Sequence, residues 1–304
     1  MIKVISWNVR GLGSRTKKKA LKKLISKQIL SMIFLQETKN SPPDSRFLKY
    51  LWSRDAFKGE WVGSNGRSGG LISLWSEQFF TLESSFINHR FTLLQDTINA
   101  LNIPCIFVNI YAHNDPAERN NLWNELIDVK NLLNPSNLWC IGGNFSIIKC
   151  LEENRGISYD LASMSSFVNF INSMDLVDLQ LNDGLFSWSD NKEIPTMCRL
   201  DPFLLSSDLL TKFPTLHQNV LPKSLSDHNP ICLSVEDKNW GLKPFRLFSH
   251  WMGDAQFLEM FNNSWQATTD SSKAPGIFNR LKALKFIVKN WQQDYANKDA
   301  QRIS

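Results

Sequence analysis

Six short segments of the chain set polar side chains directly behind apolar runs. They are Trp7-Asn8, Gln36-Glu37, Tyr111, Asn144-Phe145-Ser146, Leu200-Asp201 and Ser226-Asp227-His228-Asn229-Pro230. One such group alone is an ordinary cap or turn residue. Six in order along one chain carry more weight, because α/β folds collect their ligand groups at strand ends. The set holds carboxylates, amides and a histidine, and none of the six segments is a serine or cysteine elbow that would present a nucleophile. This chemistry points to metal-assisted attack by water. A hard cation, Mg2+ (or Mn2+), takes one or two carboxylates and keeps several of its own waters.

The apolar runs that must position these groups are short and alternate. Lys3–Trp7 reads as a strand, Thr16–Gln28 as a helix with Ala20, Leu21, Leu24 and Ile25 to one side, and Met32–Gln36 as a buried strand. Strands follow at Glu60–Gly63, Gly70–Trp75, Phe79–Ile87, Phe91–Asn99 and Cys105–Tyr111, then a helix over Pro116–Leu133 and a buried strand at Trp139–Gly142. Met164–Met174 reads as a helix, and Val177–Gln180, Leu185–Trp188, Arg199–Ser206 and Ile231–Val235 as further strands. Many short strands with few helices predict an α/β, four-layer sandwich: two packed β-sheets, mixed and mainly antiparallel, flanked by helices. This domain spans residues 1–236. Residues 237–304 form a linker and a helical tail, with helices at Ala255–Trp265 and Pro275–Tyr295. Ile277, Leu281, Leu284, Val288, Trp291 and Tyr295 draw one apolar stripe on the second. It either packs back or, left uncovered, favours self-association of the chain.

With 304 residues, 42% hydrophobic and 21% charged, the chain has enough apolar material for a sizeable core. Apolar stretches reach about six to eight residues, far below the roughly eighteen of a membrane span. The opening MIKVISWNVRGLG carries Lys3 and Arg10 in place of a signal segment, so an intracellular protein is expected, the nucleus among its destinations. Five scattered cysteines with no Cys-x-x-Cys pair exclude a disulfide scaffold and a zinc module. Residues 1–30 hold nine basic and no acidic residues; residues 31–236 hold 15 basic and 23 acidic; residues 237–304 hold 10 basic and 6 acidic. An acidic body with a basic first helix suits cation collection in a site and contact with polyanions at an edge. The ordinary reading of Arg15, Lys17, Lys18, Lys19, Lys22, Lys23 and Lys27 is a solvated helix face.

The segments WNVRGLG, LQETK, GGNFS, RLDPFLLS and SDHNPI, in this order, resemble the endonuclease/exonuclease/phosphatase superfamily. With GGLISLW, VNIYAHND, FSWSDN and KPFRLFSHWM, the chain is similar over about residues 1–260 to the apurinic-type endonuclease domain of plant LINE-type non-LTR retrotransposons, here ending before a reverse transcriptase. The resemblance implies that Asn8 holds a catalytic carboxylate or a phosphate oxygen, and that Glu37 is the principal metal ligand with Asp227 near the metal or its waters. It further implies that Tyr111 bonds the scissile phosphate, and that Asp201 orients His228, which acts on a non-bridging phosphate oxygen. Arg10, where more distant relatives carry an acid, is expected to contact phosphate or serve structure.

One departure matters. The family pattern Gly-Asp-Phe-Asn reads Gly143-Asn144-Phe145-Ser146 here. An amide cannot accept a proton at neutral pH, and loss of a positioned general base costs about 10²–10⁴ in rate. Ser146 is shorter than the asparagine it replaces, and the two losses act as one unit. The expectation is therefore a Mg2+-dependent phosphodiesterase and DNA endonuclease with impaired activity. The rival readings are a catalytically dead nucleic-acid-binding remnant, and a phosphatase or RNA nuclease of the same superfamily.

Overall fold

A computed structural model describes residues 2–39, 43–53, 56–65, 68–156, 160–235, 254–267, 280–281, 283–288 and 291. The chain divides into two compact units, Met1–Asp237 and Lys238–Ser304. The first is built on two sheets. One runs, edge to edge, through β11 (Leu181–Asn182), β15 (Leu216–Val220), β16 (Ile231–Val235), β1 (Lys3–Asn8), β2 (Met32–Gln36), β4 (Ser68–Ser76) and β3 (Phe57–Asn65). The other runs through β10 (Leu176–Asp178), β14 (Phe203–Ser206), β8 (Leu138–Asn144), β7 (Ile103–Tyr111), β6 (Phe91–Ile98) and β5 (Phe80–Ile87). Both are mixed: β1 lies parallel to β2 and antiparallel to β16, and β7 lies parallel to β8 and antiparallel to β6. Three two-residue strands, β9 (Asn154–Arg155), β12 (Trp188–Ser189) and β13 (Met197–Cys198), form a small third sheet.

The period of two along each strand explains the layering. Val4, Met32, Phe34, Cys105, Phe107, Leu138, Cys140, Phe203 and Leu205 point between the sheets into one shared core. Their neighbours on the first sheet, Ile5, Trp7, Ile33 and Leu35, point outward to Leu21 and Ile25 of α1 (Arg15–Gln28) and Leu48 and Leu51 of α2 (Ser45–Leu51). On the second sheet Ile106, Val108, Ile110, Trp139 and Ile141 point outward to Leu122, Trp123 and Leu126 of α3 (Pro116–Leu132) and Phe167 and Phe170 of α4 (Leu161–Ser173). Strands covered on both faces lose the polar alternation of an exposed sheet, which is why Met-Ile-Phe-Leu-Gln is buried throughout. Each fully buried large side chain contributes roughly 1.5–3 kcal/mol. The helices start on side-chain caps: Ser14 Oγ accepts from Lys17 N–H, Asp115 caps α3 with Pro116 in its first turn, and Asp160 caps α4.

The two-sheet architecture is the one predicted, with differences in detail. The strand predicted over Arg199–Ser206 forms only at Phe203–Ser206, because Pro202 removes a donor and Arg199 turns into a buried ion-pair cluster with Asp178 and Glu153. Leu185–Trp188 yields only the two-residue β12 at Trp188–Ser189, since Ser187 spends its hydroxyl on Asp201 and its backbone on Asn229 and Cys198. Strand β15 and the short helices α2 and α5 (Ser207–Lys212) were not apparent from periodicity. Trp52 and Trp75 are core residues, and Trp61 lies partly exposed on the edge strand β3. No described helix is long and apolar enough to cross a membrane. The five cysteines are free.

In the second unit α6 (Ala255–Ala267) buries Phe257 against Leu284 and Val288, with Met260, Phe261, Trp265 and Trp291 packed around them. Of the described stripe residues, Leu284, Val288 and Trp291 thus pack within their own unit, while Leu281 stays exposed. Ile277, Tyr295 and the predicted linker Trp240–Pro244 lie outside the described residues.

Candidate functional site

The inward-facing row of four strands changes character from one end to the other. It reads Val4, Ser6, Asn8 on β1 and Met32, Phe34, Gln36 on β2. On β7 it reads Cys105, Phe107, Asn109, Tyr111, and on β8 Leu138, Cys140, Gly142, Asn144. Apolar residues fill the first half, and amides, a hydroxyl and a phenol the second. The change is bridged across the sheets. Gln36 Nε2 donates to Asn109 Oδ1 at 2.7 Å and Ser6 Oγ at 3.1 Å, while Asn109 Nδ2 donates to Ile72 O at 3.2 Å and Ser73 Oγ at 3.1 Å. These bonds engage polar groups that are fully buried, though Gln36 Oε1 has no partner among the described residues. Beyond this layer lie Asn8, Tyr111 and Asn144, with Tyr111 opposite Asn144 in the β7–β8 register.

Glu37 follows β2 on a loop clamped between two glycine segments. Gly11 N–H donates to Glu37 O at 2.6 Å and Leu12 N–H to Thr38 O at 2.9 Å; Thr38 and Lys39 N–H donate to Gly70 O and Gly69 O, each at 3.1 Å. Gly70 sits at φ +88, where a Cβ would lie 2.4 Å from Thr38 Oγ1, so glycine is required there. Arg10, Glu37, Lys39 and Ser146 are four of the nine described non-glycine residues with left-handed φ. Such backbone strain, of order 1–3 kcal/mol each, gathers where a site fixes side chains.

The Glu37 carboxylate is buried and ringed by donors. Oε1 accepts from Asn8 Nδ2 at 2.9 Å and Arg10 Nη1 at 3.2 Å, and Oε2 pairs with Lys39 Nζ at 3.0 Å. Burial works to raise its pKa, but the bonds from Asn8 and Lys39 and the charges of Arg10 and Lys39 outweigh it, and the net shift is downward. Tyr111 is bonded to the same carboxylate; burial first, then that anion, push its phenol up to about 12. Asp227 Oδ2 accepts from Trp188 Nε1 at 3.0 Å, and Oδ1 lies 3.4 Å from Arg10 Nε. Burial likewise opposes ionisation of Asp227, and the Trp188 bond with the His228 and Arg10 charges overcomes it. Lys17, predicted on a solvated face, instead turns inward: its Nζ donates to Val9 O at 2.9 Å and Arg10 O at 3.0 Å.

These distances test the metal expected at Glu37 and Asp227. The donor set does not fit a divalent ion: both Glu37 oxygens are taken by cations, and the Arg10 guanidinium bridges the two carboxylates. Among the described residues no group of three or more His, Cys, Asp or Glu side chains could hold a metal ion.

His228 is buried beside this cluster. Its Nδ1 lies 2.8 Å from Asp201 Oδ2, which also accepts from Ser187 Oγ at 2.6 Å. A ring nitrogen facing a carboxylate carries the proton, which leaves Nε2 as the working atom. Ser226 Oγ donates to Asn8 O at 2.7 Å and Trp7 Nε1 to His228 O at 3.1 Å, tying the histidine loop to β1. Asn144 completes the assembly: Phe145 N–H donates to Leu200 O and Ala112 N–H to Asn144 O, joining its strand end to those of Asp201 and Tyr111. Asn144 Oδ1 accepts from Ser146 N–H at 2.8 Å and Ser146 Oγ at 3.0 Å, and the Ser146 hydroxyl also lies 2.8 Å from Ala112 O. The oxygen is thus occupied, and Nδ2 is the end of the amide bonded to no described residue.

Of the eight residues singled out from sequence, Asn8, Glu37, Tyr111 and Asp227 share one side-chain cluster through Arg10, Asp201 pairs with His228, and Asn144 with Ser146; backbone bonds join these three groups. Ser146 is turned into its own turn. Sequence reasoning assigned no role to Lys39, Ser187 or Trp188. Their only signal was position inside the segments LQETK and FSWSDN.

A model described as the Endonuclease/Exonuclease/phosphatase family matches residues 5–228. The fold is similar to that of a 3′ phosphatase, NExo, from Neisseria, an Asp-to-Asn variant bound to a product DNA hairpin: TM-score 0.60, 15% identity, 78% of this chain and 100% of that chain covered. It is also similar to the AP endonuclease LMAP from Leishmania major, with TM-score 0.61, 16% identity and coverage of 76% and 86%. A third similar structure is TDP2 from C. elegans, with TM-score 0.55, 19% identity and coverage of 76% and 74%. No curated protein sequence matches the chain.

Proposed function

Because the chain belongs to the endonuclease/exonuclease/phosphatase family, we propose that its strand-end cleft receives the phosphodiester backbone of DNA and has lost most of the hydrolytic power of its kin. The likeness of its motifs to the endonuclease domain of plant LINE-type retrotransposons supports an origin there. A DNA ligand is supported by the similar Neisseria structure, which holds a product DNA hairpin.

The observation that carries this reading is the orientation of Asn144. With Oδ1 held by Ser146, the amide offers N–H to the cleft, a donor where water activation calls for a base. The surrounding groups share that polarity. Tyr111 keeps its phenol proton at neutral pH, and Arg10 and Lys39 are cations. Such a set binds and stabilises phosphate oxygens. Glu37 and Asp227 are poor bases, since their pKa values are held low. Members of the family generally depend on a divalent metal ion, which supplies charge stabilisation and an activated water when bound. The Mg2+ or Mn2+ expected here meets the misfit at Arg10.

Supercoiled plasmid incubated with the chain tests the proposal. The expected result is salt-sensitive binding with little or no nicking, and a rise of up to about 10²–10⁴ in nicking rate for Asn144→Asp/Ser146→Asn. Robust nicking by the unaltered chain, unchanged in the double variant, would falsify it.

A further inference from the structure

Between Glu37 and Asp227 a metal-dependent relative needs a cation, and this chain already carries one. Arg10 Nη1 lies 3.2 Å from Glu37 Oε1 and its Nε 3.4 Å from Asp227 Oδ1. Its backbone is pinned at three points: the N–H donates to Asn8 Oδ1 at 3.1 Å, the carbonyl accepts from Lys17 Nζ at 3.0 Å, and φ is +49. Lys39 holds the other Glu37 oxygen. Two carboxylates thus face three cations, Arg10, Lys39 and Lys17, and the cluster has a surplus positive charge before any ion enters. A divalent ion there would meet the guanidinium within a few ångströms, where like charges repel. The Arg10 side chain is still 47% exposed, and of the five N–H donors of a guanidinium the described residues engage two, at Nη1 and Nε. Its open edge suits two phosphate oxygens at once.

We infer that Arg10 is the resident cation of this cleft, taking the place of a divalent metal, and that the site binds a nucleic-acid phosphate with no metal requirement. The inference rests on the reading of the cleft as a phosphodiester receptor, and its test separates the two.

Binding of a fluorescein-labelled DNA duplex to the full chain is followed by anisotropy in chelator and in millimolar Mg2+, and Mn2+ binding by electron paramagnetic resonance without DNA. The unaltered chain is expected to bind DNA equally in both buffers and to bind no Mn2+. Arg10→Ala frees the two carboxylates; it is expected to lose about tenfold in DNA affinity in chelator, the scale of a charge-assisted bond, and to gain Mn2+ binding. Arg10→Lys, which keeps the charge without the fork, should fall between, and circular dichroism of each variant confirms that it folds. DNA binding that needs Mg2+, Mn2+ binding by the unaltered chain, or an Arg10→Ala variant that keeps its affinity in chelator would each overturn the inference alone. No DNA binding in either buffer overturns the underlying reading, and the inference falls with it.

Discussion

Tyr111 shows how one side chain records the charge balance of the site. Its phenol shares a bond with the buried Glu37 carboxylate, so ionising it would place two anions together in a poorly solvated space. The folded state therefore holds the proton to about pH 12, against about 10 in the unfolded chain. The sign follows: between these values the unfolded state releases a proton that the folded state keeps, so stability falls as pH rises through that window and is untouched below it. An absorbance titration of the tyrosinate band should show one late component, absent in Tyr111→Phe, and the variant should lose less stability than the parent between pH 10 and about 12. A Tyr111→Phe titration identical to the parent would show that Glu37 and Tyr111 do not share the bond. At this scale the candidate site was largely legible, since Asn8, Glu37, Asp201 and His228 each stand behind an apolar run. The ion pairs were not legible. Whether Arg10 and Lys17 point to solvent or back over the site depends on left-handed turns at Arg10, Glu37 and Lys39 that no hydrophobic pattern encodes.

At the level of elements the site depends on how closely β7 and β8 approach. Gly143 sits at φ +148, and a Cβ there would lie 2.1 Å from Ile110 O and 2.7 Å from Ile110 N. Backbone cannot swing aside as a side chain does, so Gly143→Ala must separate the strands that set Tyr111 opposite Asn144. A loss of about 3 kcal/mol or more is expected, read from the denaturant midpoint, with the Tyr111 titration moving back toward 10 in whatever folds. A variant as stable as the parent would place the strand junction elsewhere. The strands themselves were readable where both faces carry apolar residues, as in Lys3–Asn8, Met32–Gln36 and Ile231–Val235. Strand β15, Leu-His-Gln-Asn-Val, was not. Its buried residue after Leu216 is Gln218, whose Oε1 accepts from Phe203 N–H at 3.0 Å across the sheets and whose Nε2 bonds Leu179 O. A polar bridge inside a core looks like a surface position in sequence, and only the partner strand shows otherwise.

Across the whole molecule, apolar side chains are divided between two units, each with its own packing, that the sequence treats alike. The stripe predicted on the last helix could either pack or recruit a second chain. Leu284 and Val288 are buried against Phe257, and Trp291 meets the Phe257 ring edge-on at 4.9 Å between centroids. Leu281, at the start of the described stripe, and Phe286 remain exposed. Two exposed side chains form a far smaller patch than an uncovered stripe, and isolated ones are ordinary on soluble surfaces. The chain is therefore expected to sediment as a monomer over a wide concentration range. Phe257→Ala removes the ring that Leu284, Val288 and Trp291 share and costs about 3–5 kcal/mol in a core that small. That is enough to speed amide exchange by roughly 10²–10³ in Ala255–Ala267 and residues 283–288, and to free the stripe for association. Sedimentation of Phe257→Ala should then depend on concentration where the parent's does not. If the parent already associates and Phe257→Ala leaves its association unchanged, Leu281 and Phe286, and not the packed row, would be the adhesive surface.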